Sequence, residues 1–164
     1  MVRPWYWPRE GQPHRTEPFT WIVKGKMAVS WWPDVSVIET YCKEGIKTII
    51  NCSEFDNRND IPREFEYFHI NIPDYGTPTN KQLERFFEIT RKEMNNNHSI
   101  VVHCVAGCGR SGLMIVAWAA FNGCIPEGMD PVKWIRKLRP CCLETKEQME
   151  FARNIVKKYQ KTIM

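Results

Sequence analysis

The sequence contains no apolar run long enough to cross a membrane. Its longest such run, Leu113 to Phe121, holds nine residues, whereas a spanning helix needs about 20. The N-terminus has no continuous apolar stretch, so we expect no secretory signal. Residue 2 is Val2 and the chain ends without a prenylatable cysteine, so we expect no lipid anchor either. These absences predict a cytoplasmic or nuclear protein without a membrane anchor.

Paired-cysteine motifs are also missing, although the chain has seven cysteines. No Cys-x-x-Cys occurs: Cys104 and Cys108 are four positions apart, and Cys141 is adjacent to Cys142. These spacings do not suit a structural zinc site. Because thiols stay reduced inside the cell, we expect the cysteines to be free. The spacing leads us to expect no metal, and we expect no cofactor.

A strong charge of one sign is the third absence. The net charge is +4 over 164 residues, which is compatible with anionic substrates but too small to indicate nucleic acid by itself. With 43% hydrophobic and 26% charged residues, the chain has the composition of one globular domain. We expect no nucleic-acid partner, and we expect a monomer.

Proline and tryptophan, by contrast, are concentrated at the N-terminus. Residues 1–18 hold four of the eleven prolines and the run Trp5-Tyr6-Trp7. We therefore divide the chain into an N-terminal arm, residues 1–18, and a domain, residues 19–164. Proline disfavours regular structure in the arm. The arm either packs on the domain through its tryptophans, which we favour, or forms a lip on a binding cleft.

The rest of the sequence alternates short apolar runs with helical patterns. Such alternation predicts an α/β fold, a single domain with a central, largely parallel sheet flanked by helices. Caps and turns set the expected bounds. In chain order we expect a hairpin from Phe19–Val23 and Lys26–Val29, a helix from Asp34 to about Lys43, strands at Lys47–Cys52 and Phe65–Ile72, a helix from the Thr79–Gln82 capping box to about Asn95, a strand at Ser99–Cys104, a helix over Leu113–Phe121, and helices that begin after Asp130 and after Thr145.

One segment combines a nucleophile with an anion-binding backbone. Residues 102–112 read VHCVAGCGRSG, which predicts the end of a buried strand, a loop and the start of a helix. Small residues let the backbone N–H groups of the loop turn toward one point, and the helix N-terminus points there too. Arg110 adds a planar fork that fits two phosphate oxygens. These features favour the thiolate form of Cys104 and place it beneath a site for a phosphate dianion.

The pattern His-Cys-x5-Arg-Ser at residues 103–111 resembles the signature of the cysteine-dependent protein phosphatases. From about Phe19 to Ile163 the chain is similar to the small atypical dual-specificity phosphatases. The resemblance implies a protein tyrosine phosphatase-like fold, with a phosphate-binding loop between a central strand and a helix. It also implies phosphoprotein substrates, hydrolysed at phosphotyrosine, phosphoserine or phosphothreonine through a cysteinyl-phosphate intermediate, without a metal or cofactor.

The same resemblance implies roles for the loop residues. Cys104 is expected to be the nucleophile, Ser111 the hydroxyl that helps the thiolate to leave, and His103 a residue that orients the loop. Phosphate oxygens should be held by the Arg110 side chain and by the backbone of the residues that precede it in the loop: Val105, Ala106, Gly107, Cys108 and Gly109.

Two Pro-Asp pairs compete for the role of general acid. Asp34 ends a Trp-Pro-Asp triplet like that of the large tyrosine phosphatases, but it lies 70 residues before Cys104 and is typical of a helix start. Asp74 ends an Ile-Pro-Asp triplet 30 residues before Cys104, in a loop that follows a predicted strand. That loop position is where the resembled family keeps its acid. We therefore expect Asp74 to be the acid, on grounds of geometry.

The segment from Arg139 to Gln148 matches a late loop that borders the active site in the resembled family. Gln148 either helps to position water or only caps the last helix, because Thr145 and Gln148 also form a capping box. The sequence leaves both roles open.

Three loop residues bear on the choice of substrate. Val105 and Cys108 stand where inositol lipid phosphatases carry lysines, and Ala106 stands where RNA triphosphatases carry a histidine. Phosphoinositide and RNA 5′-triphosphate nevertheless remain alternative substrates. A pseudophosphatase that binds phosphoproteins without turnover is the other alternative, and the complete set of catalytic residues argues against it.

Two cysteines are candidates for redox control of the nucleophile. A thiolate in an open cleft oxidises readily, and a neighbouring cysteine can then trap it as a disulfide. Cys52 ends a predicted strand close to Cys104, and Cys108 lies in the loop itself. We favour Cys52, because a bond between Cys108 and Cys104 would require the loop to refold. The other reading of Cys52 is simple packing.

Overall fold

The structure is a computed structural model that describes residues 17–163. The run Trp5-Tyr6-Trp7 lies outside the described residues, so both interpretations of the N-terminal arm stay predictions. The strands are β1 (Phe19–Val23), β2 (Met27–Ser30), β3 (Ile46–Asn51), β4 (Glu66–His69) and β5 (Ser99–His103). The helices are α1 (Val35–Glu44), α2 (Asn80–Asn95), α3 (Arg110–Phe121), α4 (Pro131–Leu138) and α5 (Lys146–Ile163), with a 3-10 turn at Arg58–Asp60.

β5 lies at the centre of a five-stranded sheet whose order is β1-β2-β5-β3-β4. The hairpin pair β1 and β2 is antiparallel, while β2 with β5, β5 with β3, and β3 with β4 are parallel. The predicted α/β fold with a largely parallel sheet is therefore confirmed. His103, the last residue of β5, pairs with Ser30 on one side and Asn51 on the other. The carboxyl ends of three parallel strands thus meet at one edge, where such sheets bind ligands.

β4 is shorter than the sequence predicts. The alternation of residues suggests a strand over Phe65–Ile72, but the strand ends at His69. β4 is an edge strand that pairs only with β3, and β3 ends at Asn51, the partner of His69. The Ile70 N–H still donates to the Asn51 carbonyl at 2.8 Å. Because β3 ends there, the chain then continues into a loop, although Ile70 and Ile72 remain buried.

Helix caps agree with the sequence signals. The Asp34 carboxylate accepts a hydrogen bond from the Val37 backbone at 2.9 Å, and Gly45 ends α1 with a φ of 78°. At the start of α2 both hydrogen bonds of the capping box between Thr79 and Gln82 are present. Asp34 therefore has the helix-capping role that its position predicts.

α3 is buried on all sides. Every residue from Arg110 to Ala120 is buried, and the helix packs against β2, β5, α2, α4 and α5. An apolar helix in that position needs no polar face, as its sequence indicates. It begins at Arg110 rather than at Leu113, so its first turn includes Arg110 and Ser111 of the predicted phosphate-binding motif. Within residues 17–163, no helix combines the length and the apolar character that crossing a membrane requires.

Candidate active site

The loop between β5 and α3 lies at the carboxyl edge of the sheet, under the N-terminus of α3. Cys104 is 1% exposed, at the base of the loop. Gly107 has a φ of 72°, and a Cβ there would lie 2.4 Å from the Ser30 carbonyl oxygen. Both observations require glycine at this position. The sequence thus produces a tight turn pressed against the end of β2, with its backbone free to face an anion.

Two neighbours of Cys104 are placed as the sequence predicts. Ser111 Oγ lies 3.2 Å from Cys104 Sγ. His103 Nδ1 donates to the Cys104 carbonyl at 3.0 Å, and the Trp32 ring meets the imidazole edge-on with centroids 5.5 Å apart. Burial lowers the pKa of His103 to about 4, so the ring is neutral near pH 7. This hydrogen bond is the kind of contact through which His103 is predicted to orient the loop.

Arg110, the first residue of α3, is 2% exposed. It is held by residues 72–76, which carry the predicted acid and which we call the acid loop. Its Nη1 donates to the Ile72 carbonyl at 3.0 Å. Its Nη2 lies 3.4 Å from Asp74 Oδ1. The side chain of Asp74 is 42% exposed. The structure therefore brings together the predicted acid and the predicted phosphate-binding arginine, which are far apart in the sequence.

The backbone of the acid loop fixes the direction of Asp74. The Tyr75 N–H donates to Asp74 Oδ1 at 3.0 Å, and Tyr75 has a φ of 60°. The Gly76 N–H donates to the Pro73 carbonyl at 2.8 Å, which closes a tight turn. Asp34, the other candidate for the acid, uses its carboxylate to cap the N-terminus of α1.

Glu54 is a site residue that sequence reasoning missed. Its Oε1 lies 3.2 Å from Arg110 Nη1, and its Oε2 accepts from the Asp74 backbone N–H at 3.1 Å. One carboxylate thus orients both the arginine and the acid loop. The signal in the sequence is its place just after β3, since the parallel neighbour of β5 must end at the same edge.

Gln148, at the first turn of α5, makes the capping contacts and also reaches the loop that carries Asp74. Its Oε1 accepts from the Glu144 backbone at 2.9 Å and from Thr145 at 3.4 Å, and Thr145 Oγ1 accepts from the Gln148 backbone. Its Nε2 donates to the Gly76 carbonyl at 3.3 Å. The side chain is fully buried. Gln148 therefore caps α5 and also connects α5 to the acid loop.

Glu144 lies in the late segment that the resemblance places beside the active site, but the sequence predicts no role for it. Its carboxylate accepts the Gly109 N–H of the phosphate loop. Burial, followed by the nearby Asp74 charge, raises the pKa of Glu144. This contact engages one of the loop N–H groups that are predicted to bind phosphate. Within residues 17–163, no group of three or more His, Cys, Asp or Glu is arranged to hold a metal ion.

Comparison with known proteins agrees with this geometry. A family model described as a polymorphic toxin system, DSP-PTPase phosphatase, matches residues 33–124, more than half of the chain. The chain belongs to the DSP-PTPase phosphatase family. The resemblance stated from the His-Cys-x5-Arg-Ser pattern is thereby confirmed.

Two relatives show how much of the chain is similar to curated proteins. An uncharacterized protein of Methanocaldococcus jannaschii is 30% identical over 100 residues, which cover 60% of this chain and 65% of that protein. Receptor-type tyrosine-protein phosphatase alpha of Homo sapiens is 30% identical over 112 residues, 63% of this chain and 14% of that protein. The chain thus spans less than two thirds of the length of these curated relatives.

Structural neighbours show the same fold. The crystal structure of Tk-PTP in the active form has a TM-score of 0.70 at 24% identity, and the match covers 86% of this chain and 97% of that one. The crystal structure of PTPMT1 in complex with PI(5)P has a TM-score of 0.71 at 17% identity, with 90% of this chain and all of that one covered. Both confirm the tyrosine phosphatase-like fold.

The expectation of free cysteines is wrong for one pair. Cys108 in the phosphate loop forms a disulfide with Cys141, with the Cα atoms 5.3 Å apart. This pairing also removes Cys108 as the partner we considered for Cys104. The 33-residue separation gives no sign of the contact, which arises only when the segment before α5 folds back over the phosphate loop.

Cys52 and Cys142 are free, fully buried neighbours of the nucleophile. The Cys52 backbone N–H donates to the His103 carbonyl at 2.7 Å, so Cys52 lies beside the strand end that carries Cys104. Burial, followed by the charge of Cys104, raises the pKa of Cys52. Burial raises the pKa of Cys142 to about 12. Both thiols are therefore protonated near pH 7.

Proposed function

We propose that the protein hydrolyses phosphate monoesters on proteins, with phosphotyrosine preferred and phosphothreonine and phosphoserine accepted. The observation that carries the proposal is the convergence of Cys104, Arg110 and Asp74 at one sheet edge. Arg110 Nη2 and Asp74 Oδ1 lie 3.4 Å apart above the loop that holds the buried thiol. Nucleophile, anion clamp and acid are the three parts that cleavage of a phosphate ester through a covalent intermediate needs.

In the first step the phosphate dianion binds the backbone N–H groups of residues 105–110 and the Arg110 guanidinium. Cys104 Sγ attacks phosphorus, and the bond between phosphorus and the leaving oxygen breaks. Asp74 gives its proton to that oxygen. The product is a cysteinyl-phosphate, and the dephosphorylated side chain leaves.

In the second step water attacks the phosphorus of the intermediate, and Asp74 accepts a proton from it. The phosphorus–sulfur bond breaks, and the Ser111 hydroxyl, 3.2 Å from Cys104 Sγ, donates to the departing thiolate. Gln148 helps to position the water, because its Nε2 already reaches the acid loop at Gly76. Inorganic phosphate then leaves.

The substrate preference follows from the rim of the site. Phe55 and Tyr75 follow Glu54 and Asp74 directly, and they are 59% and 52% exposed. We expect a shallow cleft with these aromatic side chains at its rim, which suits a phosphotyrosine and still admits shorter side chains. Cys108 carries no positive charge for an inositol polyphosphate.

A phosphoinositide is the second candidate substrate, because a solved neighbour is PTPMT1 in complex with PI(5)P. The test is a panel of phosphotyrosine, phosphothreonine and phosphoserine peptides, inositol lipids and RNA 5′-triphosphate, assayed with wild type and with Cys104→Ser. We expect the fastest turnover on phosphotyrosine peptides, inhibition by vanadate, no effect of EDTA, and no turnover by Cys104→Ser. Faster hydrolysis of the lipid or the RNA would contradict the protein substrate. Phosphopeptide binding without turnover would identify a pseudophosphatase.

A further inference from the structure

The segment of residues 139–143, which we call the brace, turns carbonyl groups of the phosphate loop away from the anion site. Arg139 is 1% exposed, and its Nε donates to the Gly107 carbonyl at 2.7 Å. The Leu143 backbone N–H donates to the Cys108 carbonyl at 3.1 Å. Loop N–H groups can face an anion only while neighbouring carbonyls face elsewhere. The brace therefore sets the shape of the anion site.

The disulfide is the only covalent link that the described residues show between the brace and the phosphate loop. It joins Cys141 of the brace to Cys108, with Cα atoms 5.3 Å apart, inside the range that an unstrained bond requires. Cys108 is 2% exposed, while Cys141 is half-buried. The link closes the chain that runs through α3 and α4, which restricts the motion of the loop relative to the brace.

We propose that Cys108 and Cys141 form a reversible redox site whose oxidation state sets the phosphate affinity of the loop. The inference rests on the proposed binding of phosphate by residues 105–110. In the disulfide form the brace is fixed and the loop N–H groups are held ready for an anion. In the dithiol form no covalent bond joins the brace to the loop, and the brace holds the loop only through the hydrogen bonds of Arg139 and Leu143. The binding-competent fraction falls, and the apparent affinity falls in proportion.

The co-reactant is a small disulfide such as oxidised glutathione. The thiolate of Cys141, the more exposed of the pair, attacks one sulfur of the oxidant and releases one glutathione thiolate. The thiolate of Cys108 then attacks the Cys141 sulfur of the mixed disulfide and releases the second. The two cysteines lose two protons and two electrons, and the oxidant becomes two glutathione thiols. A dithiol reductant reverses both steps.

Oxidation at the two places has opposite effects on the protein. Oxidation of the Cys108–Cys141 pair tightens phosphate binding, whereas oxidation of Cys104 removes the nucleophile. A measurement of turnover would mix the two effects. The test therefore uses Cys104→Ser in the full chain and measures the binding of inorganic phosphate by calorimetry, after equilibration with oxidised glutathione or with dithiothreitol.

We expect the oxidised form to bind phosphate roughly threefold to tenfold more tightly than the reduced form, since affinity scales with the competent fraction. A thiol assay should count two fewer free thiols in the oxidised form than in the reduced form. The Tm of the oxidised form should be roughly 5–10 °C higher, as expected for a cross-link over a loop of this length. Peptide mapping should find Cys108 linked to Cys141.

Two further variants serve as controls. In Cys104→Ser/Cys141→Ser, phosphate affinity should match the reduced form and should not respond to oxidant. Cys104→Ser/Cys124→Ser, which removes a thiol outside the brace, should keep the full response. Equal phosphate affinity of the mapped disulfide and dithiol forms would overturn the inference, and so would a response that survives Cys141→Ser. Absence of phosphate binding in both forms would instead overturn the proposed function on which it rests.

Discussion

Asp34 and Asp74 are both aspartates that follow a proline, but their carboxylates make different contacts. The Asp34 carboxylate lies 2.9 Å from the Val37 N–H that it caps. The Asp74 carboxylate lies 3.4 Å from Arg110 Nη2, at the mouth of the phosphate loop. Both triplets are similar in sequence to the acid loops of phosphatases. Only their positions in the fold distinguish the predicted acid from the helix cap.

Replacement of Asp74 by asparagine tests that separation. Asp74→Asn cannot donate a proton, so kcat should fall by roughly two to four orders of magnitude. The limb of the kcat–pH profile that reflects a general acid should be absent in the variant. Asp34→Asn is the matched control, since asparagine caps helices about as well as aspartate, and its kcat should stay at the wild-type value. Loss of activity in Asp34→Asn with a normal Asp74→Asn would reverse the assignment.

Cys52 provides a second test at a single residue. We expect mild peroxide to oxidise Cys104 to a sulfenic acid, which the buried Cys52 thiol then converts to a disulfide with loss of water. Wild type should recover activity when a thiol is added. Cys52→Ser should recover far less, because the sulfenic acid proceeds to irreversible forms. Cys42→Ser, at an exposed free thiol, is the control and should recover like wild type. Equal recovery of Cys52→Ser and wild type would leave Cys52 as a core residue only.

At the scale of elements, periodicity and caps predict nearly the whole framework. The hairpin, the helix that begins after Asp34 and the helix after Thr79 all lie where their local signals place them. Local signals do not report where a partner strand stops, and β4 therefore ends at His69 although the alternation continues. The same distinction applies to the site. The motif around Cys104 is contiguous in the sequence and can be recognised directly, whereas contacts from distant segments cannot.

Contacts between separate loops could not be predicted in this way. Glu54 reaches Arg110 from a segment that carries no motif for such a contact. The resemblance places the segment of Glu144 beside the active site but does not predict that its carboxylate accepts the Gly109 N–H. The pairing of Cys108 with Cys141 depends on how the segment before α5 folds over the loop. Each of these contacts is fixed by tertiary packing, for which a single sequence holds no periodic signal.

The turn at Gly107 offers a test of the phosphate loop as an element. A Cβ in Gly107→Ala would lie 2.4 Å from the Ser30 carbonyl oxygen, and Gly107 has a φ of 72°. The loop must shift away from β2, so we expect phosphate binding to weaken by at least roughly tenfold, the effect of losing about one good charge-assisted hydrogen bond. Gly128→Ala is the control, because Gly128 has a φ of 77° but open space around it. Calorimetric titration with phosphate compares the two, and equal affinities would show that the close approach at Gly107 does not matter.

At the scale of the whole molecule, the buried His103 links stability to pH. Burial lowers the pKa of His103 from 6.5 to about 4, so between these values the unfolded chain binds a proton that the folded chain does not. The free energy of unfolding should therefore fall as pH falls through this window, by about 1.4 kcal/mol per pH unit from this group. It should be constant, as far as His103 is concerned, above pH 6.5.

Urea unfolding at pH 7 and pH 5 measures this dependence. His103→Asn keeps a side-chain N–H for the Cys104 carbonyl but does not titrate, so it should be less stable overall and should lose stability less steeply with falling pH. An unchanged slope in His103→Asn would assign the dependence to other groups.

Arg139 joins the phosphate loop to the first described residues of the chain. Its Nη1 donates to the Glu17 carbonyl at 2.6 Å and to Thr20 Oγ1 at 2.8 Å, while its Nε holds the Gly107 carbonyl at 2.7 Å. The Arg139 guanidinium therefore couples residues 17–20 mechanically to the phosphate loop. Tension applied to the chain before Glu17 would pull on the Gly107 carbonyl through Arg139, although the two residues lie far apart in the sequence.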